Sequence, residues 1–150
     1  MTRWETARYT QLLANGKAKQ FQLRMETNSV ITQPSGTMQI QPGYNRISGL
    51  AWSGHGMIAR VEISTDGAKS WKEAQLNLPA LPKAQTRFQM DWIWDGKPTK
   101  IVSRSIDDRG NVQPDRHSFI AAMGTNALFH YNAQQTWSID EAGRIQNVLS

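Results

Sequence analysis

Residues 57–64 constrain the fold more than any other stretch of the chain. Met57, Ala59, Val61 and Ile63 alternate with Ile58, Arg60, Glu62 and Ser64. Successive side chains of a strand point to opposite faces, so this period predicts a strand with one apolar and one mostly polar face. The run ends in Thr65-Asp66-Gly67. An Asp-Gly pair tolerates the positive φ angles of a tight hairpin turn. Trp71 to Leu78 then returns, with Trp71, Ala74 and Leu76 as its apolar residues. The expectation is a single hairpin over 57–78.

The chain from Phe21 onward repeats this grammar of short runs between turn signals. Phe21 to Ile31 reads as a run stopped at Gln33-Pro34-Ser35-Gly36. Met38 to Gln41 is a short strand before Pro42-Gly43, and Tyr44 to Trp52 another before Ser53-Gly54-His55-Gly56. Pro79 and Pro82 bar central-strand pairing, which makes 79–84 a loop or edge crossing. Phe88, Met90, Trp92 and Trp94 share one face, and Asp95-Gly96 closes their strand. Lys100 to Ile106 is expected to be its partner. Residues 115–133 are the least regular long stretch. A final hairpin joins Gln135–Ile139 to Arg144–Leu149 through Asp140-Glu141-Ala142-Gly143. Tyr9, Leu12 and Leu13 are expected to make one short turn before Asn15-Gly16. No helix longer than about ten residues is predicted. Seven to nine short strands without a long helix argue for an all-β sandwich.

Composition narrows the chemistry. The chain has 150 residues, which is one domain of ordinary size, able to bury a core without staples. It has no cysteine, so disulfides, thiolate ligands and cysteine nucleophiles are absent from it. His55, His117 and His130 stand in no metal-ligand spacing, and no metal site is expected. No G-x-S-x-G, P-loop or G-x-G-x-x-G occurs. The carboxylate pairs Asp107-Asp108 and Asp140-Glu141 fall in turns, where Asp is favoured for its local backbone hydrogen bonds. The formal charge of +5 is dispersed, without the basic run that tracks nucleic acid. No apolar stretch approaches the roughly 20 residues of a membrane helix. At the start, Met1-Thr2-Arg3-Trp4-Glu5 has neither an apolar export core nor twin arginines, so no signal is visible there. No nucleic-acid or membrane partner is expected. Trp52, Trp71, Trp92, Trp94 and Trp137 are read as core or interface aromatics. The alternative is a stand-alone ligand- or carbohydrate-binding sandwich using Trp52, Trp71 and the 53–56 loop.

Several strings taken together resemble one family. They are Ser48-Gly49-Leu50-Ala51-Trp52-Ser53-Gly54-His55-Gly56, and the run from Ile58-Ala59-Arg60-Val61-Glu62-Ile63-Ser64 to Trp71. With them go Leu81-Pro82-Lys83-Ala84-Gln85-Thr86-Arg87-Phe88, Trp92-Ile93-Trp94-Asp95-Gly96, and the segment from Ser103-Arg104-Ser105-Ile106 to Gln113-Pro114. In this order they resemble the C-terminal dimerisation domain of molybdenum sulfite oxidases. Tyr131-Asn132-Ala133-Gln134-Gln135-Thr136-Trp137 is closest to the bacterial sulfite or sulfane dehydrogenase branch. Trp4-Glu5-Thr6-Ala7-Arg8-Tyr9-Thr10 resembles the linker leaving that family's molybdenum domain.

The resemblance implies an immunoglobulin-like β-sandwich over 20–150. It also implies a linker or docking arm over 1–19 and a homodimer. The parent enzyme would carry molybdopterin-bound molybdenum on a separate cysteine-bearing domain, use a c-type cytochrome subunit, and reside in the periplasm. This chain would hold no cofactor and would be inactive alone. Animal-type members place an arginine over the substrate pocket in the stretch matching 123–130, which here has none. Asn126, His130 and Asn132 are the candidates for groups facing the substrate in the full enzyme; buried backbone groups of an irregular loop would claim the same side chains.

Overall fold

The structure, a computed structural model, describes residues 10–12, 15–21, 23–125 and 131–149. It is an immunoglobulin-like sandwich of two antiparallel sheets. Strands β1 (Thr10–Leu12) and β2 (Ala18–Phe21) pair as a separate hairpin around Asn15-Gly16, in place of the expected turn; Tyr9 and Leu13 lie outside the described residues. The four-stranded sheet contains β3 (Asn28–Gln33), β4 (Gly43–Trp52), β7 (Gln75–Leu76) and β8 (Thr86–Trp94), in the order β3-β4-β8-β7. The five-stranded sheet contains β5 (Ile58–Ser64), β6 (Lys72–Glu73), β9 (Thr99–Asp107), β10 (Thr136–Ile139) and β11 (Ile145–Val148), in the order β11-β10-β9-β5-β6. Among the described residues one helix, α1 (Arg116–Met123), interrupts the irregular stretch before β10.

Alternation sets the core. Ile47, Gly49 and Ala51 of β4 face inward, against Phe88 and Trp94 of β8 and Val61, Ile63, Ile101 and Ile139 of the opposite sheet. Gly49 is required by this packing: a Cβ there would run into the Val30 carbonyl oxygen and the Phe88 ring.

Further expectations are corrected, and Met38–Gln41 is not a strand but makes an isolated bridge from Gln39 to Arg144. A bulge between Ile58 and Arg60 shifts the register against β9, so Ile58 enters the core while Met57 and Ala59 are exposed. A bulge inserts one residue and inverts the alternation before it. The return over 71–78 is not one strand. β6 pairs with β5, but β7 pairs with β8 in the other sheet, and buried Ala74 marks the crossing. Lys100 to Ile106 does not pair with the Phe88–Trp94 strand. β9 lies between β5 and β10, which makes Asp95-Gly96 a corner between sheets. The Phe21–Ile31 run breaks, leaving Leu23 and Met25 exposed between β2 and β3. The 135–149 hairpin forms as expected.

A buried carboxylate holds one pole of the sandwich. Asp107 ends β9 and is 2% exposed. It accepts hydrogen bonds from the Ser53 hydroxyl (2.7 Å), the Asn111 side-chain amide (2.9 Å), and the backbone amides of Arg109 (3.0 Å) and Asn111 (2.9 Å). Burial is the largest single influence and raises its pKa. The donors, led by the Asn111 side chain and Ser53, together outweigh it and hold the carboxyl below its ordinary value.

Two outcomes follow. Gly49→Ala is expected to cost about 1–3 kcal/mol in a urea unfolding titration, because neither backbone nor a core ring can yield. Asp107→Asn removes a folded-state pKa that lies below the unfolded one. The carboxylate therefore stabilises at neutral pH, and this contribution fades as pH falls below about 3.9. The variant should lose about 1–3 kcal/mol at pH 7. The gap between the two proteins should narrow on acidification; a gap that widens would contradict the assignment.

Candidate functional site

The pole around Asp107 collects the features that point to function. On its inner side a polar seam joins the two sheets. The Ser29 hydroxyl lies 2.9 Å from that of Ser103 and donates to Gln113 Oε1 at 2.6 Å. The Thr27 and Ser105 hydroxyls lie 3.0 Å apart. Gln113, 1% exposed, returns its Nε2 to Asn28 Oδ1 (2.8 Å) and to the Ser29 carbonyl (3.2 Å).

Gln113, together with Asn132 and Trp137, also seals the free edge of β3. Alternate carbonyls of its edge accept side-chain bonds: Thr27 from Asn132, Ser29 from Gln113, and Ile31 from the Trp137 indole. An edge strand left with open carbonyls is a template for foreign pairing, and this one is closed from within.

Beside the seam lies a cavity of about 250 Å³, lined in part by Thr27, Val112, Pro114, Phe119, Met123 and Asn132. Helix α1 forms one wall. Asp115 caps it by accepting from the Ser118 backbone (2.8 Å) and hydroxyl (2.8 Å), which hold this carboxyl below its usual range. Gly124 ends the helix at φ 77°, and Phe119 meets Tyr131 edge-on with ring centroids 4.7 Å apart.

Of the candidates for substrate-facing groups, Asn132 reaches this cavity. It is also buried, and donates its amide to the Thr27 carbonyl at 3.1 Å. Asn126 and His130 lie outside the described residues. The tryptophans disperse. Trp94 is core, and Trp92 and Trp137 pack against the core. Trp52 points outward from the four-stranded sheet. Trp71 lies on the opposite outer face, under the Arg104 guanidinium at 4.1 Å. Trp52 and Trp71 therefore share no cleft, and the Ser53 hydroxyl is committed to Asp107. Nothing in this arrangement favours the sugar-binding alternative.

Sequence reasoning placed Asp107 in a turn but missed Gln113, which Pro114 disguises as the end of a strand. Among the described residues no three His, Asp or Glu side chains gather as metal ligands, and the sequence supplies no thiolate.

Comparison with known proteins sets this pole in context. Residues 19–136 match the Mo-co oxidoreductase dimerisation domain. Chicken (Gallus gallus) sulfite oxidase is 32% identical over 102 residues, covering 61% of this chain and 21% of that protein. Sulfite oxidase of Arabidopsis thaliana is 30% identical over 112 residues, covering 67% of this chain and 28% of that one. The crystal structure of the sulfane dehydrogenase SoxCD from Paracoccus pantotrophus superposes with a TM-score of 0.93 at 44% identity, over 98% of this chain and 38% of that one. The chain thus spans only 21% and 28% of the lengths of these two sulfite oxidases. The chain belongs to the Mo-co oxidoreductase dimerisation domain family.

Proposed function

We propose that the chain is the dimerisation module of a molybdenum-cofactor dehydrogenase acting on sulfite or sulfane sulfur. The observation that carries this reading is the family match over 19–136 on an intact sandwich, joined to 44% identity with a sulfane dehydrogenase over nearly the whole chain. In this reading residues 1–19 are the arm from the cofactor-bearing domain. A c-type cytochrome takes the electrons, and the enzyme works in the periplasm. Asn126, His130 and Asn132 face the substrate across the domain boundary.

The cofactor does not fit the donors of this chain. It has no cysteine thiolate, and its described acidic and histidine side chains do not converge. Molybdenum, and with it the sulfur chemistry, is therefore assigned to the rest of the parent enzyme. The contribution of this module is rigid placement and pairing.

Light scattering on the chain at tens of micromolar should give a dimer, metal analysis should find no stoichiometric molybdenum, and sulfite should not reduce added cytochrome c. A strict monomer would overturn the pairing role. Stoichiometric molybdenum with sulfite-dependent turnover would overturn the division of labour.

A further inference from the structure

We propose that a second cavity, on the outer face of the five-stranded sheet, binds a small oxyanion of the sulfate or phosphate class. It has a volume of about 220 Å³ and is lined in part by Ala68, Lys100, Val102, Arg116, His117 and Gln134. Lys100 and Val102 flank the core residue Ile101 on β9, so alternation turns both outward. The turn after β5 and the first turn of α1 wall the space above them.

The charges of this lining are unbalanced. Lys100 and Arg116 have no carboxylate within ion-pair distance. Among the described residues, the lysines and arginines without such a partner are exposed, except for Arg116, which is half-buried. A charge drawn out of water is stable only when something replaces the lost hydration. Asp115 is the carboxylate of the lining, but its oxygens are turned to the helix. Oδ1 accepts the Ser118 amide and Oδ2 the Ser118 hydroxyl, each at 2.8 Å. Two cations against one carboxylate leave the lining positive, and side chains rather than the helix end make the site.

The donors suit a tetrahedral oxyanion. Arginine offers a planar fork that meets two oxygens at once, and lysine a compact point charge. His117 brings a ring N–H donor in either protonation state. Val102, 3% exposed, and Ala68 supply apolar surface beside these charges, where water weakens their attraction less. At about 30 Å³ per water, the space takes several waters, or one oxyanion with part of its shell.

The walls are fixed before a ligand arrives. The Gly67 N–H donates to the Lys100 carbonyl at 3.0 Å, which ties the turn after β5 to the backbone carrying Lys100. The Ser64 hydroxyl accepts the Ala68 N–H at 2.8 Å and holds Ala68 at φ 68°. Opposite them, the Gln134 N–H donates to the Pro114 carbonyl (2.9 Å), and its side-chain amide to the Gln113 carbonyl (3.0 Å). A preformed site loses less entropy on binding.

The test is an amide NMR titration with sodium sulfate, and separately with sodium phosphate, at an ionic strength held constant with sodium chloride. Saturable shifts should centre on residues 67–69, 100 and 115–117. The dissociation constant should be on the order of a millimolar, the range that a few charge-assisted hydrogen bonds reach. Lys100→Gln and Arg116→Gln should each weaken binding about tenfold. Arg116→Lys, which keeps the charge but loses the fork, should cost less than Arg116→Gln. Arg87→Gln removes the same charge from the outer face of the other sheet and should leave binding unchanged. All four variants should keep the wild-type melting temperature in chloride, which separates lost binding from lost folding. Saturable binding of either oxyanion at these residues supports the site. Shifts that do not saturate, that chloride reproduces, or that persist at wild-type affinity in Lys100→Gln and Arg116→Gln overturn it.

Discussion

The hydrogen-bonded seam between Ser29, Ser103 and Gln113 is the interaction on which the rest of the structure depends. A sandwich held by apolar packing alone lets its sheets slide, because dispersion has no direction. Buried hydroxyls have direction, and once desolvated they are costly to leave unpaired. Ser29 and Ser103 sit on facing strands, and Gln113 joins both sheets at one end. Its main chain pairs with Ser105, and its side chain reaches β3. The register of the two sheets is thereby fixed, and with it the edge of β3 and the wall of the cavity beside it.

This seam also helps to close the edge of β3. Gln113, which joins the two sheets, also occupies an outward carbonyl of β3, and Asn132 and Trp137 occupy two more along that edge. An edge that could recruit a foreign strand is consumed by the internal fastening of the fold. Short strands guard the β6 and β7 edges by offering little to pair with. The segment around Gln39 and Ile40 covers the start of β11, through Ile40 N–H to the Gly143 carbonyl (3.0 Å) and Gln39 Nε2 to that of Ala142 (2.7 Å).

How much of this was legible depended on whether the signal was local. The alternation of Phe88 with Trp94 and the turn at 140–143 are properties of neighbouring residues, and both appear in the structure as the sequence implies. Asp66-Gly67 and Asp95-Gly96 have the same turn chemistry, yet the first leads towards β6, beside β5, and the second turns a corner between sheets. Turn residues dictate a bend, and the choice of sheet belongs to distant partners. The bulge at Ile58 was hidden for a related reason, since an inserted residue leaves no mark in a pattern of mostly apolar positions. Gln113 was the least legible. Its role needs Ser29, 84 positions away, to be its neighbour. Of the candidate site, Asn132 could be proposed from resemblance alone, and its bond to Thr27 spans 105 positions.

The acidic side chains give the division of labour a physical form. Asp66, Asp91, Asp95, Asp107, Asp115 and Asp140 are all held below the ordinary carboxylate range. In each case hydrogen bonds outweigh what burial does in the other direction. Most of these bonds are short-range: Asp66 receives the Ser70 hydroxyl and the amides of Lys69 and Ser70, and Asp140 receives the amides of Ala142 and Arg144. A carboxylate fixed in this way is an acceptor that shapes a turn. It stays ionised at neutral pH, whereas general acid catalysis needs a pKa raised towards the working pH. Five of these six aspartates, all but Asp91 on β8, are thus spent on fixing turns and a helix cap. Rigid loops of this kind fit the structural rather than chemical role proposed for the module.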